Sequence, residues 1–164
     1  MFDGMPTRPV LIIVPILMSM VLGLYYWDSY DTCTEKSEFR SRFIKMAQQA
    51  SEQSDQLFSV NAATDFSWDT VTFFPAFKFD EKPVPDCPFG WDWSEVQRKQ
   101  LAKDGHLSLL IFAKADKMIN YLDIDTKTVD IGKLKKVYSN DKAQFNVSSD
   151  ATLSRLLLSE YSSE

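Results

Sequence analysis

Few side chains in this chain could do chemistry. His106 is the single histidine in 164 residues, and it stands directly after Asp104-Gly105, at the mouth of the most apolar of the expected strands. A histidine general base needs a nucleophile beside it and a group that orients its ring. No serine sits in a Gly-x-Ser-x-Gly elbow. Asp123 and Asp125 form a close pair of acids with Asp130 beyond. Paired carboxylates can hydrolyse glycosides or hold calcium, but these lack the calcium loop's spacing and its central glycine. A solvated hairpin end is the expectation there. The chain has no Gly-x-Gly-x-x-Gly, Walker loop, Cys-x-x-Cys or His-Glu-x-x-His. Two cysteines and one distant histidine have no metal-ligand spacing. We therefore assign no catalytic residue, metal or cofactor; an envelope hydrolase using His106 or an acid pair is the least favoured reading.

Cys33 and Cys87 invite a different chemistry. In an oxidising compartment two cysteines can pair, and the alternative is two free thiols. A bond would close a loop of about 55 residues, worth roughly 4 kcal/mol on the chain-entropy argument. It would tie the first exported turn to the proline-rich stretch 80–92, DEKPVPDCPFGWD. Phe74, Phe77, Phe79 and Trp93 flank that stretch, and it carries Phe89 and Trp91 with Asp80, Glu81, Asp86 and Asp92. Aromatic rings anchor interfaces, and an acidic surround suits a basic partner. The candidate partner-binding set is Phe77, Phe79, Asp80, Glu81, Asp86, Phe89, Trp91 and Trp93; the alternative is that most of these rings are core. Asn146-Val147-Ser148 matches a glycosylation sequon, meaningful only in a eukaryotic secretory pathway. Lys133, Lys135 and Lys136 cluster in a stretch expected to be a solvated loop.

These residues depend on how the chain is anchored. From Val10 to Trp27 no residue is charged, VLIIVPILMSMVLGLYYW. As a helix the run reaches roughly 27 Å, close to a bilayer's hydrocarbon thickness. Tyr25, Tyr26 and Trp27 cluster at its end, where amphipathic rings prefer the headgroup zone. Pro15 lies inside it, which membrane helices tolerate. Arg8 precedes the run, and Asp28, Asp31 and Glu35 follow it, so the positive-inside rule keeps the N-terminus cytoplasmic. A retained signal anchor is favoured over a signal peptide cut after Gly23 and over a buried core helix. Beyond Trp27 the chain turns polar and holds all but Arg8 of the 18 basic and all but Asp3 of the 23 acidic residues. That part carries the whole net charge of −5. Such acidity argues against a nucleic-acid partner, because no counterion release drives binding.

Residues 1–9 then form a cytoplasmic tail, 10–27 a transmembrane signal anchor, and 28–164 one exported domain. In that domain Thr32 and Glu35 have capping-box spacing, predicting a helix from there to about Phe58. Phe39, Phe43, Met46, Ala47, Ala50 and Leu57 form its apolar face. Alternation around Val71 and Phe73 predicts a strand that Pro75 ends or marks as an edge. Asp92 and Glu95 signal a helix to about Lys103, stopped by Asp104-Gly105. Leu107–Ala113 predicts a strand covered on both faces. Ala115-Asp116 turns the chain into a partner strand, Met118–Ile124, with Met118, Leu122 and Ile124 on one face. Gln144–Val147 adds a short strand. Ser149 or Asp150 caps a last helix carrying Leu153, Leu156 and Leu157. The fold class is α+β, one N-terminal transmembrane helix followed by a small antiparallel sheet flanked by helices.

Phe66, Trp68, Asp69, Val71, Phe73, Phe74 and Pro75 form a Phe-x-Trp-Asp-x-Val-x-Phe-Phe-Pro stretch. A Gly-x-x-Trp-type loop, here Phe89-Gly90-Trp91-Asp92-Trp93, and the strand Leu109–Lys114 follow it. In this order the chain resembles small bacterial membrane-anchored periplasmic α+β proteins, some of which look like immunity proteins against antibacterial toxins. The resemblance implies a single-pass inner-membrane protein whose periplasmic domain binds a protein partner in the envelope, a basic toxin in the sharpest version. The alternative from another class is an accessory structural subunit of a membrane complex, docked through the anchor and residues 35–58.

Overall fold

A computed structural model describes residues 8–77, 87, 90–134, 137–150 and 152–161, with side chains from Val14 onward. The elements are α1 (Arg8–Glu52), β1 (Leu57–Ser59), α2 (Val60–Ala63), β2 (Thr70–Phe74), α3 (Glu95–Lys103), β3 (Leu107–Lys114), β4 (Lys117–Asp125), β5 (Val129–Asp130), β6 (Val137–Ser139), β7 (Gln144–Asp150) and β8 (Arg155–Glu160). The chain is α+β.

The dominant feature is α1, a single helix of 45 residues. Two helices were expected here, one apolar and one starting at Thr32. The capping box at Thr32–Glu35 is not used, because the residues before Thr32 are themselves helical and supply the carbonyls a cap would replace. The helix also ends earlier than expected, at Glu52, and Leu57 and Phe58 belong to β1. Gln56 turns the chain with a φ of +50°.

From Val14 to Trp27 the large apolar side chains of α1 stand exposed around the helix, between 50% and 71%. From Phe39 onward the same helix is core: Phe39, Phe43, Ala47 and Ala50 are buried, at intervals of three and four. Among the described residues no helix is long and apolar enough to cross a membrane. The apolar run begins at Val10, and the side chains of Val10–Ile13 lie outside the described residues. The described stretch Val14–Trp27 is about 21 Å long, short of a bilayer's roughly 30 Å.

The strands form two four-stranded sheets rather than the one expected. One has the order β1-β7-β8-β5, the other β4-β3-β2-β6. All pairings are antiparallel except β5 with β8. Both sheets and the second half of α1 share one core. Phe73 of β2 meets Phe145 of β7 at 5.4 Å between ring centres, and Phe39 of α1 meets Phe112 of β3 at 5.7 Å.

β8 stands where a final helix was expected. Asp150 Oδ1 does accept backbone N–H groups, from Thr152 and Leu153, as a helix cap would. The same side-chain chemistry serves a turn. Ser154 then adopts a φ of +50°, and the chain returns as a strand that buries Leu156 and Leu158 at period two. Within the β3–β4 hairpin, Ala115 and Asp116 both take left-handed φ, at 48° and 58°. A bulge near Phe112/Ala113 shifts the register there, so Met118 is 65% exposed and parts from buried Leu122 and Ile124.

Candidate functional site

Antiparallel pairing with β3 places Asp123 opposite Leu109 and Leu122 opposite Leu110. Leu110 and Leu122 therefore face the shared core, and Asp123 lies on the other face of the sheet. A solvated acid was expected at Asp123. It is only 2% exposed, because α3 and the segment 90–93 cover that face. Asp125 does stay at the hairpin end, where its carboxylate accepts the Lys127 N–H at 2.9 Å.

Asp123 belongs to a closed box of four buried charges. Arg40 of α1 donates through Nη1 to Asp92 and through Nη2 to Asp123. Arg98 of α3 donates through Nε to Asp123 Oδ2 at 2.5 Å and through Nη2 to Asp92 Oδ2 at 3.1 Å. Each carboxylate thus meets two guanidiniums, and each guanidinium meets two carboxylates. Trp93 closes the top, with its ring 3.8 Å from the Arg40 guanidinium carbon. Burial alone would push the Asp123 carboxyl up, but Arg40 and Arg98 outweigh it and hold it below the ordinary range. Burial acts against the Arg40 charge as well, and hydrogen bonding to Asp92 with the field of Asp123 overrides it, raising its pKa.

The box also seals a sheet edge. β4 is an outer strand, and its outward carbonyls at Tyr121 and Asp123 need partners. Lys36 Nζ donates to Tyr121 O at 2.9 Å, and Arg40 Nε to Asp123 O at 2.8 Å. Residues four apart on a helix rise about 6 Å, and residues two apart on a strand about 6.7 Å, so the two cations match the carbonyls. Asn120 Oδ1 accepts from both Lys36 and the Tyr121 N–H, which completes the seal. Lys36 lies 3.7 Å from the centre of the Tyr121 ring. Burial is the main cause that lowers its pKa to about 8.

Asp92 was expected to cap α3. The cap is instead Ser94, whose hydroxyl accepts the Gln97 N–H while the Gln97 side chain accepts the Ser94 N–H. Asp92 is thereby released for the box. Gly105, with a φ of +72°, ends α3 as expected.

The disulfide between Cys33 and Cys87 is formed, with Cα atoms 5.8 Å apart. It ties Cys87 to α1 about two turns before Arg40 of the box. On the opposite side of the disulfide from the box, Trp91 packs edge-on against Tyr26 and Tyr30, with ring centres at 4.9 Å in both cases.

Of the candidate partner-binding residues, Trp91 and Trp93 therefore sit together on α1. Phe77 sits apart, with its N–H donated to Leu107 O and its ring 6.2 Å from Phe74. Phe79, Asp80, Glu81, Asp86 and Phe89 lie outside the described residues, as do Lys135 and Lys136. A cleft of about 380 Å³ runs beside α1, lined by Ser37, Ser41, Ile44, Trp91, Trp93 and Gln97 among others. His106 opens β3, with Nδ1 3.3 Å from Thr126 Oγ1. Asn146 of the sequon is part of β7, paired with strands on both sides. Among the described residues no cluster of His, Cys, Asp and Glu could hold a metal ion.

Sequence reasoning missed the box. Its one local trace is that Lys36 and Arg40 stand four apart beside the apolar stripe. No family model, curated protein or solved structure matches this chain.

Proposed function

We infer that the protein is a single-pass, signal-anchored inner-membrane protein of a bacterium, with residues 28–164 on the periplasmic side, and that its domain binds another protein rather than catalysing a reaction. The observation that carries this reading is α1 itself. One helix passes without a break from an apolar half exposed on every side to a half buried in the domain core. Such a surface in water is costly, about 25 cal/mol per Å², and a bilayer removes the cost. The aromatic end, the acids that follow it and the disulfide all fit an exported domain.

A binding role is supported by the way the buried charges are used. Asp92 and Asp123 are the kind of close carboxylate pair that could run acid–base chemistry, but both are engaged by Arg40 and Arg98. The partner contact in this reading is the acidic, aromatic loop from Phe77 to Trp93 and the cleft beside α1. Its sharpest form is an immunity protein that neutralises a basic antibacterial toxin. The test is co-expression of the full chain with the product of the adjacent gene. A tight complex, and protection of the cell, are expected; the absence of both removes the toxin-blocking role.

The unbroken α1 also suits the second reading, an accessory subunit docked through its helix. Replacing residues 10–27 by an unrelated membrane helix in the same register separates the two. A toxin blocker keeps its activity, whereas a helix-docked subunit loses assembly.

A further inference from the structure

We propose that Trp91, held against Tyr26 and Tyr30, is a second contact with the membrane, resting in the lipid headgroup layer beside the anchor. This rests on the reading of α1 as an anchor and adds what that reading lacks: how the domain sits on the bilayer. Distances along α1 decide which groups reach the lipid. Trp27 ends the apolar run, and Tyr30 lies about 4.5 Å further along the axis. The headgroup layer is about 5–8 Å deep on each side. Tyr26, Tyr30 and the ring packed between them fall within it. Cys33 comes about 9 Å past Trp27 and Arg40 about 20 Å past it, so the disulfide is at the outer border and the ion box beyond. A helix tilt of about 20° shortens these depths by less than a tenth.

Chemistry agrees with position. Trp91 is half-buried, and its ring packs edge-on against two tyrosines of α1, Tyr26 and Tyr30. Indole and phenol rings favour the headgroup zone because one end is apolar and the other donates a hydrogen bond. Trp27, Tyr25 and Tyr26, each more than half exposed, continue the same aromatic belt. The disulfide at Cys33 and the Arg40–Trp93 stack hold segment 90–93 on either side of Trp91. A ring held from a separate loop fixes the rotation of the helix as well as its depth. The domain thus meets the bilayer with segment 90–93 down, and the cleft beside α1, whose helix lining begins at Ser37, opens about 15 Å or more past Trp27.

The test uses the full chain in phosphatidylcholine–phosphatidylglycerol vesicles carrying brominated lipids, bromine being either near the headgroup or near the chain end. The emission of Trp91 is the difference between the parent and Trp91→Phe, which keeps an aromatic ring in place. That of Trp27 is obtained in the same way from Trp27→Phe. The expected result is loss of both contributions with shallow bromine, and retention of Trp91's with deep bromine. If Trp27 is quenched and Trp91 is not, the second contact is overturned and the anchor stands. If neither is quenched and the protein does not float with the vesicles, the anchor reading fails and this proposal falls with it.

Discussion

Replacing Asp123 by Asn removes one corner of the charge box without changing its shape. The magnitude follows from the contacts. Asp123 accepts from Arg40 Nη2 and Arg98 Nε, two charge-assisted bonds at a site 2% exposed. Such bonds contribute about 1.5–3 kcal/mol each, and unpairing a buried charge costs about 3–5 kcal/mol in total. The amide also turns N–H groups toward guanidinium N–H groups. Asp65→Asn is the control, since Asp65 pairs with Arg42 at the surface and its side chain is 66% exposed. It should cost about 1 kcal/mol or less. The assay is urea unfolding of the full chain in non-ionic detergent, followed by tryptophan emission, to which Trp93 over Arg40 is sensitive. With a slope of about 2 kcal/mol per molar, the Asp123→Asn midpoint should fall by roughly 2 M. Adding Arg98→Met to Asp123→Asn should cost less than the sum of the two changes. The box also sets acid behaviour. The folded Asp123 pKa lies below its unfolded value, so its contribution is complete above the ordinary carboxylate range and is lost as pH falls through the folded pKa. Asp123→Asn should flatten that acid-side loss. A variant as stable as Asp65→Asn, with an unchanged acid limb, refutes the reasoning.

Other expectations follow from single contacts. Lys36 holds its proton less tightly when folded, with a pKa of about 8 against 10.5, so the unfolded chain binds more protons between those values. Stability should rise with pH from about 8 toward 9.5, and Lys36→Met should remove the rise in urea midpoints. Cys33→Ser with Cys87→Ser opens a loop of 54 residues and should cost about 4 kcal/mol, read from thermal unfolding with and without reductant. Phe43→Ala removes a fully buried ring that sits 4.9 Å from Phe58 and should cost about 3–5 kcal/mol by the same unfolding assay. Ala115→Gly relieves a left-handed residue at the β3–β4 turn and should add about 0.5–1 kcal/mol.

Local patterns made much of the fold legible. The apolar stripe from Phe39 to Ala50, the stop at Pro75, the end of α3 at Gly105 and the Ala115-Asp116 turn each depend on a few neighbouring residues, and each stands where expected. Failures came where a local signal serves two structures. Thr32 and Glu35 have capping-box spacing, but whether a cap is used depends on the chain upstream, which here is already helical. Asp150 binds the same N–H groups in a turn as in a helix start, and three consecutive leucines suit either period. The charge box was illegible for another reason. Its four members come from α1, the loop, α3 and β4, and alternation along β4 puts Asp123 opposite the core residues. That reads as a solvent face until something covers it, and the covering groups Arg98 and Arg40 come from 25 and 83 positions away. Disulfide pairing was legible because only two cysteines exist.

The central claim is that α1 carries its domain across the inner membrane, and C-terminal reporter fusions test it most directly. Alkaline phosphatase folds only where its disulfides form, and green fluorescent protein exported by the general pathway stays dark. This account predicts an active phosphatase fusion and a dark fluorescent one, both retained in the membrane fraction after an alkaline wash. An inactive phosphatase with a bright fluorescent fusion would put the domain in the cytosol and contradict it.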